Sequence, residues 1–199
     1  MKTLTAALLL AVLPSFVWAQ KVGVLPFEDA ANAGPELGEQ VAKFIRSELL
    51  KNKKFVPKLI QYKTDSAESS SIDLEKAVEL GKKNGVAYVL IGTILEAEVS
   101  KSSAGVGNVT VMGQSLGSSL KTVTATITIQ GDLILVSNGT VLDSFRASGS
   151  KTDRSVGADV STEWGTLNAG GEGSEKSPNA QALRDAVEDL VKQMTRTLQ

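Results

Sequence analysis

Residues 85–99, GVAYVLIGTILEAEV, carry two hydrophobic patterns in succession. Positions 86–91 are apolar without a break and follow a glycine, the pattern of a strand buried on both faces. A buried helix is the competing reading, and the glycines and β-branched residues count against it. After Gly92 the residues alternate, with Ile94, Glu96 and Glu98 on one side and Leu95, Ala97 and Val99 on the other. That is a strand with one solvated face, so one long strand is expected to leave the core and continue outward.

A second alternation follows downstream. Val123, Ala125, Ile127, Ile129, Leu133 and Leu135 share one parity, while Thr122, Thr124, Thr126, Thr128 and Gln130 share the other. This predicts a long strand with one buried face. Asn138-Gly139 then suits a two-residue type I′ hairpin turn, returning into a partner strand over 141–147. Shorter apolar runs at Val22, Val24 and Leu25, and at 55–60, predict two further strands. Pro26 ends the first, and Pro57 places the second at a sheet edge.

Helical spacing appears three times. Leu37, Val41, Phe44, Ile45, Leu49 and Leu50 form one stripe, with Pro35 suited to the first helical position and Glu36 to the helix dipole. The lysines among residues 51–54 read as a solvated, basic helix end. Leu74, Ala77, Val78 and Leu80 form a second stripe, capped by Asp73 and stopped by Gly85. Leu183, Ala186, Val187, Leu190, Val191 and Met194 form the third, within 179–199. The order β-α-β-α-β-β-β-α predicts an α/β fold, a three-layer-like mixed sheet with helices packed on it. Residues 65–71 are polar and serine-rich and read as a loop. Two Gly/Ser-rich insertions, at about 99–122 and 148–177, interrupt the pattern and are able to form hairpins.

Composition narrows the chemistry. The 199 residues, 42% hydrophobic, suffice for one domain with appendages. A formal net charge of −1 without a basic block argues against nucleic acid as a partner. There is no cysteine and no histidine, which excludes disulfides, thiolate metal sites, a Cys nucleophile and the commonest general base. No nucleophile–base pair, metal-ligand spacing or phosphate-binding glycine loop stands in the sequence. Glu28 and Asp29 follow the first strand, where α/β sheets bind ligands, but paired acids there are more often a solvated loop. The expectation is a non-enzyme without cofactor or metal.

The N-terminus reads as an export signal over 1–19. Lys2 supplies the positive region, a mostly apolar stretch over 4–17 follows, and Val17-Trp18-Ala19 is a small-x-small cleavage site before Gln20. The stretch is too short for a membrane helix. Residues 20–199 form the expected mature domain, exported without a lipid anchor, since no cysteine is available to carry one.

Three segments together carry a family resemblance. They are Val22-Gly23-Val24-Leu25-Pro26-Phe27-Glu28, Lys54-Phe55-Val56, and Gly81-Lys82-Lys83-Asn84-Gly85 continuing through Ile94. With the paired strands around Thr124-Ala125-Thr126 and Asn138-Gly139-Thr140, then Ser148-Gly149-Ser150 and the final helix, the mature chain resembles the CsgG family. That family includes the outer-membrane curli secretion channel and related envelope proteins. The resemblance implies a homo-oligomeric ring in which two hairpins per subunit join a common transmembrane barrel. It implies envelope or secreted proteins as further partners, and a periplasmic or outer-membrane location. The matching positions are the two insertions. Their candidate pore or oligomer residues are Val109, Val111, Met112, Leu116, Val123, Ala125, Val156 and Trp164. In a barrel Val109, Val111, Val123 and Ala125 would face lipid, the threonines the lumen, and Trp164 would anchor at the interface. Against this, Asp153, Arg154, Asp159, Glu163, Glu172 and Glu175 break any apolar face in the second insertion, which suits long surface loops. The two functional expectations are therefore a channel subunit and a soluble periplasmic adaptor.

Overall fold

The structure is a computed structural model that describes residues 19–34, 36–62, 72–105, 109–111, 114–116, 119–156, 164 and 177–198. In chain order the elements are β1 (Gln20–Val24), β2 (Glu28–Asp29), α1 (Leu37–Lys51), β3 (Phe55–Leu59), α2 (Leu74–Asn84), β4 (Tyr88–Gly105), β5 (Val109–Val111), β6 (Gln114–Leu116), β7 (Ser119–Leu135), β8 (Thr140–Val156) and α3 (Pro178–Thr197). The main sheet has the order β3-β1-β4-β7-β8, with β2 also paired to β4, and β5-β6 form a separate pair. β3, β1 and β4 are parallel, whereas β4, β7 and β8 are antiparallel. This is the mixed α/β sheet that the pattern predicts.

The sheet is the middle layer of three. α1 and α3 pack on one face through Val41, Ile45, Leu183, Val187 and Leu190, against Leu90, Ile127, Ile129 and Leu133. α2 packs on the other through Ala77 and Leu80, against Leu25, Val89 and Ile134. Val89 and Leu90 are consecutive and both fully buried, one in each layer, which is why the run 86–91 has no polar member. Gly81 lets α2 approach: a Cβ there would stand 2.6 Å from Val136 and 2.7 Å from Val89.

Local signals operate as the chemistry requires. The Asp73 side chain accepts the Lys76 backbone N–H at 2.7 Å, capping α2. Gly85 closes that helix in the left-handed conformation with φ 65°. β3 lies at the sheet edge, as Pro57 demands.

Several expectations are corrected. β4 begins at Tyr88 rather than Val86, because the Val86 N–H still bonds the Gly81 carbonyl of the helix end. α1 starts at Leu37, and Leu50, expected on its buried stripe, is 54% exposed. Pro35 lies outside the described residues, as do residues 1–18 of the expected signal and the loop 65–71. The β7–β8 turn is longer than two residues. Leu135 pairs with Thr140, Gly139 N–H bonds the Leu135 carbonyl, and only Gly139 takes positive φ, while Asn138 accepts from the Thr140 N–H. The side-chain cap at Asn138 replaces the left-handed conformation that a type I′ turn would require there.

Candidate assembly surface

The longest strands build the candidate site. β4 and β7 stay paired out to Gly105↔Ser119, and β7 and β8 out to Leu120↔Val156. The outer part of the sheet is therefore a three-stranded ribbon that continues past the ends of β1, β2 and β3. Strand takes up most of the first Gly/Ser-rich insertion and the start of the second, residues 148–156. A glycine-rich, serine-rich composition reads as loop, but here the cross-strand ladder pairs the backbone groups of residues whose small side chains contribute little packing.

The ribbon's two faces differ. On the α1–α3 side, Ala97 and Val99 pack against the main core, and Ala125, Ile127 and Ala147 belong to it. On the opposite side the strands carry hydroxyls in register. Thr124 and Thr152 hydroxyls meet at 2.9 Å, Thr126 and Ser150 at 3.2 Å, and Thr128 and Ser148 at 3.0 Å. The Thr128 hydroxyl also donates to Glu96 Oε2 at 3.0 Å. Cross-strand hydroxyl pairs of this kind fix register at a few tenths of a kcal/mol to about 1 kcal/mol each. Among the described residues α2 covers only the inner end of that face; Thr128 is buried, and the outer pairs, Thr124–Thr152 and Thr126–Ser150, are exposed.

The sequence-derived residues fall in different places. Val109 and Val111 lie in β5 and Leu116 in β6, with Val109 opposite Leu116. Val156 ends β8 opposite Leu120. Met112 lies outside the described residues, as do residues 157–163 and 165–176 of the second insertion. Val123 and Ala125 are buried, at 5% and 0% exposure, so this chain's own core covers side chains that the barrel reading turns outward. Trp164 is likewise a core residue rather than an exposed interfacial anchor. Glu96, Thr128, Ser148 and Gly149 stand in the sequence only as separate alternation and family-motif positions, and the three-strand register brings them together. At Gly149 the backbone of α3 sits directly on β8: a Cβ would lie 1.9 Å from the Ala182 carbonyl oxygen.

The acids after β1 have separate fates. Asp29 Oδ2 accepts the Gly34 N–H at 2.9 Å and closes the turn before α1. Glu28 lines a cavity of about 150 Å³ with Pro26, Ile72, Ile91, Gly92, Thr93 and Asp132. That is smaller than the roughly 300 Å³ at which small-molecule pockets begin. Asp132 there accepts from Ser144 Oγ at 2.5 Å. Burial, and secondarily the Glu28 charge, hold the Tyr62 hydroxyl above its ordinary value. Among the described residues no group of three or more His, Cys, Asp or Glu side chains could hold a metal, and no helix is long and apolar enough to cross a membrane.

A family model described as the curli production assembly/transport component CsgG matches residues 18–199. No curated protein matches the chain. Among solved structures, the hypothetical protein CT253 from Chlamydia trachomatis is similar at 13% identity, with 88% of this chain and 95% of that chain covered and a TM-score of 0.53. The PelC dodecamer from Paraburkholderia phytofirmans aligns at 16% identity over 92% of this chain and 89% of that chain, TM-score 0.43. The lipoprotein GNA1162 from Neisseria meningitidis aligns at 15% identity over 89% and 99%, TM-score 0.44. The likeness to CT253 shows a shared fold.

Proposed function

This chain belongs to the CsgG family, and from that premise we propose that it is a non-enzymatic, self-assembling subunit of an outer-membrane secretion or transport channel or of its assembly apparatus. Family membership indicates an envelope-associated protein. The observation that carries the finer reading is the β4–β7–β8 ribbon. Past Ile94, the last β4 residue paired with β2, β4 has no strand on its second side among the described residues, and β8 has none along its outer side. Unpaired edges of that length are templates that proteins cover or pair. Identical subunits packed head to tail cover them, and a rotation that closes makes a ring. A membrane-spanning sheet must close for the same reason.

Insertion asks more than assembly does. A membrane strand needs about nine to eleven residues, and β5 and β6 have three each. The region of Val109, Val111 and Leu116 must therefore extend and re-pair if it enters lipid, while the hydroxyl ladder supplies a polar lumen face. The burial of Val123, Ala125 and Trp164 favours the second reading, a periplasmic adaptor that uses the same domain for protein contacts without a pore. Two measurements separate them. Light scattering of the mature chain in detergent is expected to show a large oligomer, and planar bilayers conductance steps that deletion of residues 102–119 abolishes. A strict monomer argues for the adaptor. Silence from a verified oligomer keeps the ring and removes the pore.

A further inference from the structure

The outer edges of the sheet are β3 and β8, and the registers place their apolar ends level with one another. Pro57 pairs with Val22, Val22 with Tyr88, Tyr88 with Leu135 and Leu135 with Thr140. One step on, Lys58, Gly23, Val89, Ile134 and Val141 form the next row. β3 and the start of β8 thus lie at one height on opposite edges and run in the same direction. Both carry side chains that the fold leaves uncovered: Val56 is 49% exposed, Val141 44% and Leu142 39%. Leu142 is the extra residue of a bulge, since Asp143 pairs with Leu133 and Val141 with Ile134. Val56 and Val141 share the α2 side of the sheet, where Ile60 and Ile134 lead into the second core.

We infer that the contact between neighbouring copies is made by β3 of one chain against the start of β8 of the next. This deepens the self-assembly proposed above and rests on it. Charge disfavours the pairing of two β3 edges. Lys51, Lys53, Lys54 and Lys58 are all exposed around the β3 edge, so two β3 edges face to face would oppose lysines to lysines. The start of β8, residues 140–146, holds one acid, Asp143, level with Leu59, and one exposed base, Arg146, so a β3 edge meets no second row of lysines there. A β3 edge meeting the start of β8 is a heterologous contact, the kind that repeats around a ring where the rotation closes. The contact runs through side chains rather than a continuous ladder. Lys54 O and Ile60 N bond β1, so the alternate positions point outward and Pro57 presents no N–H to a neighbour.

The absence of cysteine gives a clean test. Val56→Cys and Leu142→Cys both alter exposed side chains and leave both cores intact, which thermal melts verify. The two variants are mixed in detergent at the concentration where wild type scatters as an oligomer, then treated with a short bis-maleimide. The mixed pair is expected to give a covalent dimer, and the double variant a ladder of higher species, while each single variant gives little. Leu142→Lys is expected to weaken association roughly tenfold or more by facing the lysine edge. An oligomer whose mixed pair fails to cross-link, or whose Val56→Cys copies link to each other instead, overturns this contact and leaves self-assembly standing. A strict monomer removes both.

Discussion

Gly149→Ala tests how α3 is held on the ribbon. Gly149 sits in β8 opposite Ile127, and an added Cβ would come within 1.9 Å of the Ala182 carbonyl oxygen and 2.8 Å of the Ala186 nitrogen. Both are helix backbone, so no side chain can swing aside. Carbon and oxygen need more than 3 Å, and relief requires α3 to lift by roughly 1 Å or more. A gap of 0.5–1 Å already forfeits about a quarter to a half of each dispersion contact it opens. The side chains facing that gap include Leu183, Ala186, Val187 and Leu190, all buried in the main core. At about 1.5–3 kcal/mol for each large buried aliphatic, losing a quarter to a half of three of them gives about 1–4 kcal/mol. Overpacking of a tight core falls in the same range.

Urea denaturation followed by far-UV circular dichroism measures this. The expected result is a midpoint shift equivalent to about 3 kcal/mol at unchanged slope, a large part of the 5–15 kcal/mol typical of a domain. Ser148→Ala is the matched control. Its hydroxyl points to the other face, toward Thr128, and its loss should amount to about 1 kcal/mol or less. A Gly149→Ala protein within about 0.5 kcal/mol of wild type would refute the close approach.

Other expectations follow from single sites. Val89→Asp places a carboxylate at a fully buried position against α2, and at several kcal/mol it should leave no cooperatively folded protein; a soluble variant with a sharp melt would contradict the strand's interior position. Thr128→Val removes a buried hydroxyl bonded to both Glu96 and Ser148 and is expected to lower stability by about 1–2 kcal/mol, whereas Thr124→Val, on the more open ladder, should change it by less than about 0.5 kcal/mol in the same melts. N-terminal sequencing of the exported protein is expected to read Gln20-Lys21-Val22, and retention of Met1 in a membrane fraction would count against cleavage.

Signals that act within a few residues were legible in the sequence. The Asp73 cap, the Gly85 stop and the edge position of Pro57 each follow from one residue's hydrogen-bonding or conformational limits, and each holds. The extent of the ribbon was not legible, because a ladder between distant strands rescues Gly- and Ser-rich segments that read locally as loops. The candidate site was half legible for the same reason. Alternation identified Val123 and Ala125 as one face of a strand, but which layer covers that face depends on α3, more than fifty residues away.

β4 shows where periodicity itself fails. Strict alternation after Gly92 groups Ile94 with Glu96 and Glu98, an apolar residue on a charged side. The structure resolves this conflict with a bulge: Ile94 pairs with Ile129 and Glu96 with Thr128, leaving Leu95 as the extra residue. Parity changes there, so Ile94, Ala97 and Val99 all face the α1–α3 layer. A one-residue insertion is invisible to a count of two, yet it makes a distinctive prediction. Deleting a residue from a strand normally sends every later side chain to the wrong face. Deleting Leu95 instead makes the ladder regular and keeps Glu96 at Thr128 and Ala97 at Ile127. Since Leu95 is 39% exposed, little core is lost, and the cost is expected to stay within about 1–2 kcal/mol. Deleting Ala97 forces Glu96 or Glu98 into the apolar position opposite Ile127, which should abolish folding. Urea melts of the two single deletions decide the matter. Equal loss of structure in both would show that Leu95 is an ordinary ladder residue and that the strand's change of face has another origin.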